Sequence, residues 1–97
     1  MRTWVELLAE EDFEFIKRFV LASGSLKELA QIYGVTYPTI RLRLDRLIQK
    51  IRIADSSDIQ DDFERLLRAQ YADGKLERSA FVALLKGYKA NMKGSGF

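Results

Sequence analysis

Apolar positions recur at helical spacing almost throughout the chain, and no stretch alternates as a half-buried strand would. Phe13, Ile16 and Val20, widened by Phe15 and Phe19, predict a first helix over residues 10–22. Its opening acids Glu10, Glu11 and Asp12 suit the positive end of a helix dipole, and Ser23-Gly24 ends it. Ser25-Leu26-Lys27-Glu28 reads as a capping box, so a short second helix starts there and stops at Gly34. A third helix, capped by Thr36 or Tyr37, carries Pro38 in its first turn, where no intrahelical amide bond is needed. Because a residue before proline resists helical angles, Tyr37 is the favoured cap. Ile40, Leu44, Leu47, Ile48 and Ile51 line one side of this helix to residue 53, with Arg41, Arg46, Lys50 and Arg52 largely elsewhere.

The polar stretch Asp55-Ser56-Ser57 is a linker, and Ser57-Asp58-Ile59-Gln60 can form another capping box. A fourth helix carries Ile59, Phe63, Leu66, Leu67 and Tyr71 up to Asp73-Gly74. The fifth spans residues 78–91 with Phe81, Leu84, Leu85 and Tyr88, after which Lys93-Gly94-Ser95-Gly96 should fray. The expected fold is all-α: a three-helix domain over residues 1–54, then a helical hairpin over residues 55–97.

Residues 26–47 concentrate the recognisable chemistry. Ala30 stands four residues before Gly34, and apolar Val35 and Ile40 follow. A helix-turn-helix needs a small residue where two helices cross closely and a glycine where the turn goes left-handed. An ordinary helical corner in a bundle could share the pattern. As a helix-turn-helix, its second helix would enter the major groove with its N-terminal residues towards the bases. Tyr37, Pro38, Thr39, Arg41, Leu42 and Arg43 would then face outward. Thr39 could bond a base edge and Arg41 or Arg43 could grip guanine, while Lys27, Arg46 and Lys50 would meet phosphates. Each arginine taken singly could equally be solvated surface.

Composition narrows the alternatives. The 97 residues, 47% hydrophobic and 31% charged, can bury one modest core. With neither cysteine nor histidine, disulfide frameworks, cysteine or histidine metal sites, thiol nucleophiles and imidazole catalysis are excluded. The formal net charge of +2 is too mild to name a partner, but its distribution is uneven. Residues 1–24 hold three basic against five acidic groups, residues 25–53 hold six against two, and the remainder balance at seven each. The positive excess therefore falls on the helix-turn-helix. No apolar run approaches the ~20 residues that span a bilayer, and no signal peptide opens the chain, so a soluble cytoplasmic protein is expected.

The string Phe15-Ile-Lys-Arg-Phe-Val-Leu-Ala-Ser-Gly-Ser-Leu-Lys-Glu-Leu-Ala30, followed by Tyr33-Gly-Val-Thr-Tyr-Pro-Thr-Ile-Arg41 and Arg43-Leu-Asp-Arg-Leu-Ile48, closely resembles a bacterial family, domain of unknown function 2089. That family's helix-turn-helix looks like the fourth region of sigma factors, and the resemblance covers residues 4–53. It implies a transcriptional regulator without an established target. Many relatives carry a cysteine zinc ribbon ahead of this module; this chain has no cysteine, so functions tied to the ribbon do not transfer. Leu42 stands where the family pattern leads one to expect a polar residue such as Asn. The segment Leu66 to Leu76, with Phe81-Val-Ala-Leu-Leu85-Lys86, is similar to short hairpins that end many small bacterial proteins and are thought to oligomerise. Glu77 replaces their usual serine cap, a weaker choice.

Two amphipathic helices of this size cannot form a stable core alone, so they should pack on the helix-turn-helix or on another copy. Phe63, Leu67, Phe81, Leu85 and Tyr88 are the candidates for that contact, as a dimer interface or as intramolecular core. The leading expectation is a dimeric regulator of double-stranded DNA, reading a palindromic operator. The alternative is a helical adaptor that binds a protein such as transcription machinery. A contiguous positive stripe over Arg41, Arg43, Arg46 and Lys50 would favour DNA; one broken by Asp45 and the first helix would favour the adaptor. No enzyme is expected, because Glu10-Glu11-Asp12 and Asp61-Asp62 sit at helix starts, where dipole roles explain them. No phosphate loop, metal-ion loop or cofactor site is apparent. Tyr71, Phe81 and Tyr88 could line an effector pocket, although aromatics at helical spacing are more often core.

Overall fold

The computed structural model describes the backbone of residues 3–95 apart from 57, 58 and 60, and side chains within 4–91. The described residues form six α-helices and no strand: α1 (Thr3–Leu7), α2 (Glu10–Leu21), α3 (Leu26–Tyr33), α4 (Tyr37–Asp55), α5 (Asp62–Ala72) and α6 (Arg78–Ser95). The fold is all-α, as expected, with α1 added. Five residues are too few to display a helical period, yet α1 packs on α4 and delivers Leu8 to the core.

Local chemistry sets the boundaries. At the start of α2, Ala9 has no side-chain acceptor, and Asp12 Oδ2 accepts the Ala9 N–H at 2.8 Å instead. Ser25 Oγ accepts the Glu28 amide at 3.1 Å and caps α3. Gly34 closes α3 at φ 67°, and the next amide, Val35, reaches back to Ala30 O at 3.0 Å. The cap of α4 is Thr36, not Tyr37: Thr36 holds the extended backbone at φ −77° and ψ 161°. Tyr37 is helical although it precedes proline, because Pro38 at the second helical position still breaks no intrahelical bond. The expected capping box at residues 57–60 falls on residues of which 57, 58 and 60 lie outside those described. Ile59 is buried ahead of α5, which begins at Asp62 behind Asp61. Both α4 and α6 run past their expected ends, to Asp55 and Ser95.

The main core joins Leu8, Phe15, Leu29, Ala30, Ile40 and Leu47. The buried face of α2 is displaced from the expected one. Phe13 and Val20 remain 39% and 67% exposed, whereas Asp12, Phe15 and Ala22 are buried. Positions 12, 15, 19 and 22 form a proper helical stripe, and the aspartate at its head disguises it. Ala54, Leu67, Ala69 and Phe81 are buried further along, where α5 packs on α4 and α6 packs on α5. The molecule measures 54 × 31 × 19 Å with a radius of gyration of 16.0 Å, against about 13 Å for a compact chain of 100 residues. α5 lies along α4, and α6, which packs on α5, extends the molecule beyond the α1–α4 body.

Candidate functional site

α3, the Gly34–Thr36 turn and α4 bring most of the predicted contact residues to one end of the α1–α4 body. Tyr37, Pro38, Thr39, Arg41 and Leu42 are exposed on the first turns of α4, and Lys27 is exposed on the first turn of α3. The Thr36 and Thr39 hydroxyls lie 3.0 Å apart, fixing the Thr39 side chain at the helix entrance. Arg41 pairs with Asp45 at 3.2 Å, both about half exposed, so the pair adds little stability and Arg41 stays available.

Two predicted residues are placed elsewhere. Arg43 is half-buried: Nη2 donates to the Glu11 carbonyl at 3.3 Å, and the guanidinium lies 5.2 Å from the centroids of both Phe15 and Tyr33. It covers the aromatic core instead of facing bases. Lys50 is not a phosphate ligand either. It is 3% exposed and paired with Asp12 from α2 and, at 3.2 Å, with Asp73 from the turn after α5. A buried ammonium demands such partners, which makes it a fastening between the body and the hairpin. Arg46 remains exposed, but its guanidinium lies against the same turn, within 2.8 Å of where a Cβ on Gly74 would sit.

The fastening has neighbours that sequence reasoning missed. Lys75 bonds Asp73 at 3.3 Å and Glu11 at 3.4 Å. Burial acts to raise the Asp73 pKa, but hydrogen bonds and charge from Lys50 and Lys75 outweigh it and hold the carboxyl below its ordinary value. Asp73 and then Glu11 hold Lys75 above the ordinary lysine value. A signal for Lys50 existed: Ile40, Leu47 and Ala54 are buried, and residues 43 and 50 fall on that same stripe. The positive stripe is consequently interrupted, because Lys50 is buried, Arg43 is tied to α2 and the Asp45 carboxylate stands beside Arg41.

The five residues expected in oligomerisation split. Leu67 and Phe81 are buried within the chain, with the Phe81 ring stacked on Tyr71 at 4.4 Å. Leu85 and Tyr88 are half-buried, and Tyr88 meets the Phe63 ring at 4.4 Å. Its hydroxyl is hydrogen-bonded to Asp61, which raises its pKa. These contacts are intramolecular, while Phe63, Leu66, Val82 and Leu84 keep 43–49% of their surface exposed. Tyr71 and Phe81 line a cleft with Ile53 and Arg52 of α4, and Tyr88 is not part of that lining. Among the described residues no group of three Asp or Glu side chains could hold a metal ion, and no helix is long and apolar enough to cross a membrane.

The fold and this end of it define a helix-turn-helix protein: a body of helices α1–α4 in which α4 follows a left-handed glycine turn and presents its first turns to solvent. Residues 8–54, just under half of the chain, match the family described as Domain of unknown function (DUF2089)-HTH. No curated protein and no solved structure matches the chain.

Proposed function

We propose that the protein is a cytoplasmic transcriptional regulator that binds duplex DNA through α4, as a dimer and without catalysis. The exposed entrance of α4 carries this reading: Tyr37, Pro38, Thr39 and Arg41 stand clear at the end of a helix-turn-helix. There Thr39 offers a hydroxyl and a methyl to base edges, and Arg41 a guanidinium for guanine O6 and N7. Lys27 and Arg46 flank them as phosphate ligands. Dimerisation is supported by the exposed apolar side chains of the hairpin and by its extension from the body. One module buries only ~600–1,000 Å² on DNA, so two linked copies would separate an operator from competing sites.

Selection of bound genomic fragments by the purified protein, followed by gel shift, tests this. A palindromic motif is expected, with retention that falls with salt by a log-log slope of about −0.9 per phosphate neutralised. A folded Thr39→Ala/Arg41→Ala variant should lose specific retention. Unchanged affinity in that variant would remove α4 from the interface. The interrupted positive stripe favours a second reading, an adaptor for a protein of the transcription machinery. Fragment selection that yields no motif from folded protein is the outcome that reading predicts.

A further inference from the structure

A cleft of about 340 Å³ opens where the α5–α6 turn meets α4 and the end of α3. That volume lies at the small end of sites that enclose ligands. Part of its lining is aliphatic: Val35 and Leu42, 40% and 50% exposed, stand above buried Ile40. Another part is cationic, from Arg43, Arg46 and Lys75. Each carboxylate of the lining has an ammonium partner, but the three share two lysines: Asp12 and Asp73 pair with Lys50, and Glu11 and Asp73 with Lys75. Neither Arg43 nor Arg46 has a carboxylate partner among the described residues. Tyr33 adds a hydroxyl buried in the wall with no hydrogen-bond partner among the described residues. Two guanidiniums that form no ion pair, in surroundings with one positive charge in excess once Lys50 is counted, therefore share a cleft with aliphatic side chains that water covers poorly.

We propose that this cleft binds a small organic anion, a carboxylate or phosphate monoester carried on an apolar group of several carbons. The guanidiniums suit the planar or tetrahedral oxyanion, for which arginine forms charge-assisted, frequently bidentate bonds. Val35 and Leu42 cover the apolar part. A bare phosphate ion, or one phosphate of a DNA backbone, would leave that aliphatic surface wet. The site gives Leu42 a role that base reading does not, and it spans α4 and the hairpin turn, so occupancy bears on how the two are held.

Amide chemical shifts of the full chain, titrated without DNA, test the assignment independently of whether the protein binds DNA at all. The probes are benzoate and phenyl phosphate, with benzyl alcohol and inorganic phosphate as comparisons. Saturable shifts clustered at Val35, Leu42, Arg46 and Lys75 are expected from the two aromatic anions, with at least about tenfold weaker response to either comparison. Arg46→Gln should weaken benzoate about tenfold, the size expected for one hydrogen bond to a charged group, without disturbing the rest of the spectrum. Leu42→Ser should weaken benzoate while leaving inorganic phosphate unaffected. Absence of saturation by both aromatic anions overturns the proposal. So do equal affinities for benzoate and inorganic phosphate.

Discussion

At the scale of residues, Lys50 decides most. It is an ammonium 3% exposed between carboxylates from α2 and from the hairpin turn, and removing one member of a buried pair strands the others. Lys50→Ala should therefore lower unfolding free energy by about 3 kcal/mol in urea titrations. Arg52→Ala, an exposed cation on the same helix, should stay within about 0.5 kcal/mol. Asp73 also makes stability depend on pH. Its carboxyl pKa is lower in the folded chain than the ordinary ~3.9 of an unfolded aspartate, so the unfolded chain takes up protons first as pH falls. The contribution is complete above about pH 4 and is lost as pH drops through the folded value. Urea midpoints measured from pH 6 downward should fall more steeply for the native chain than for Asp73→Asn. The exposure of Thr39 and Arg41 was legible in the sequence because they lie away from the Ile40-Leu47 stripe. Lys50 was not assigned correctly because charge invites a surface reading, and its partner Asp73 is brought to it only by tertiary packing.

At the scale of elements, turn chemistry is the most legible layer. Ser25, Gly34 and Gly74 act where their residue types place them, with Gly34 at φ 67° and Gly74 at φ 76°. A Cβ at Gly34 would meet nothing within 4 Å, so substitution there tests the backbone alone. Gly34→Ala should cost about 1–2 kcal/mol through the left-handed conformation, read from the shift in the thermal midpoint and unfolding enthalpy. The element the sequence hid is α1, whose five residues hold no repeat. The face of α2 was misplaced because Phe13 and Val20 are apolar and Asp12 is not, although Asp12 is the residue that caps the helix and reaches Lys50.

At the scale of the whole molecule, the packing of α6 on α5 leaves Leu66, Val82 and Leu84 exposed among the described residues of the hairpin. A second copy would cover them. Leu84→Glu, at a side chain 49% exposed, should sediment as a monomer with unchanged helicity while the parent chain sediments as a dimer. Monomeric sedimentation of the parent would remove the dimer from the functional reading. How the hairpin docks was beyond the sequence, since it depends on pairing residues 23 positions apart. The Lys50–Asp73 contact also separates two boundaries that are easily taken as one. The segment shared with the family ends at residue 54 and holds the Lys50–Asp12 pair, but a second carboxylate on the same buried ammonium comes from residue 73. Heredity and mechanics thus divide the chain at different places: a helix-turn-helix moved to another protein carries the Lys50–Asp12 pair with it, but leaves open the side of that ammonium that Asp73 closes here.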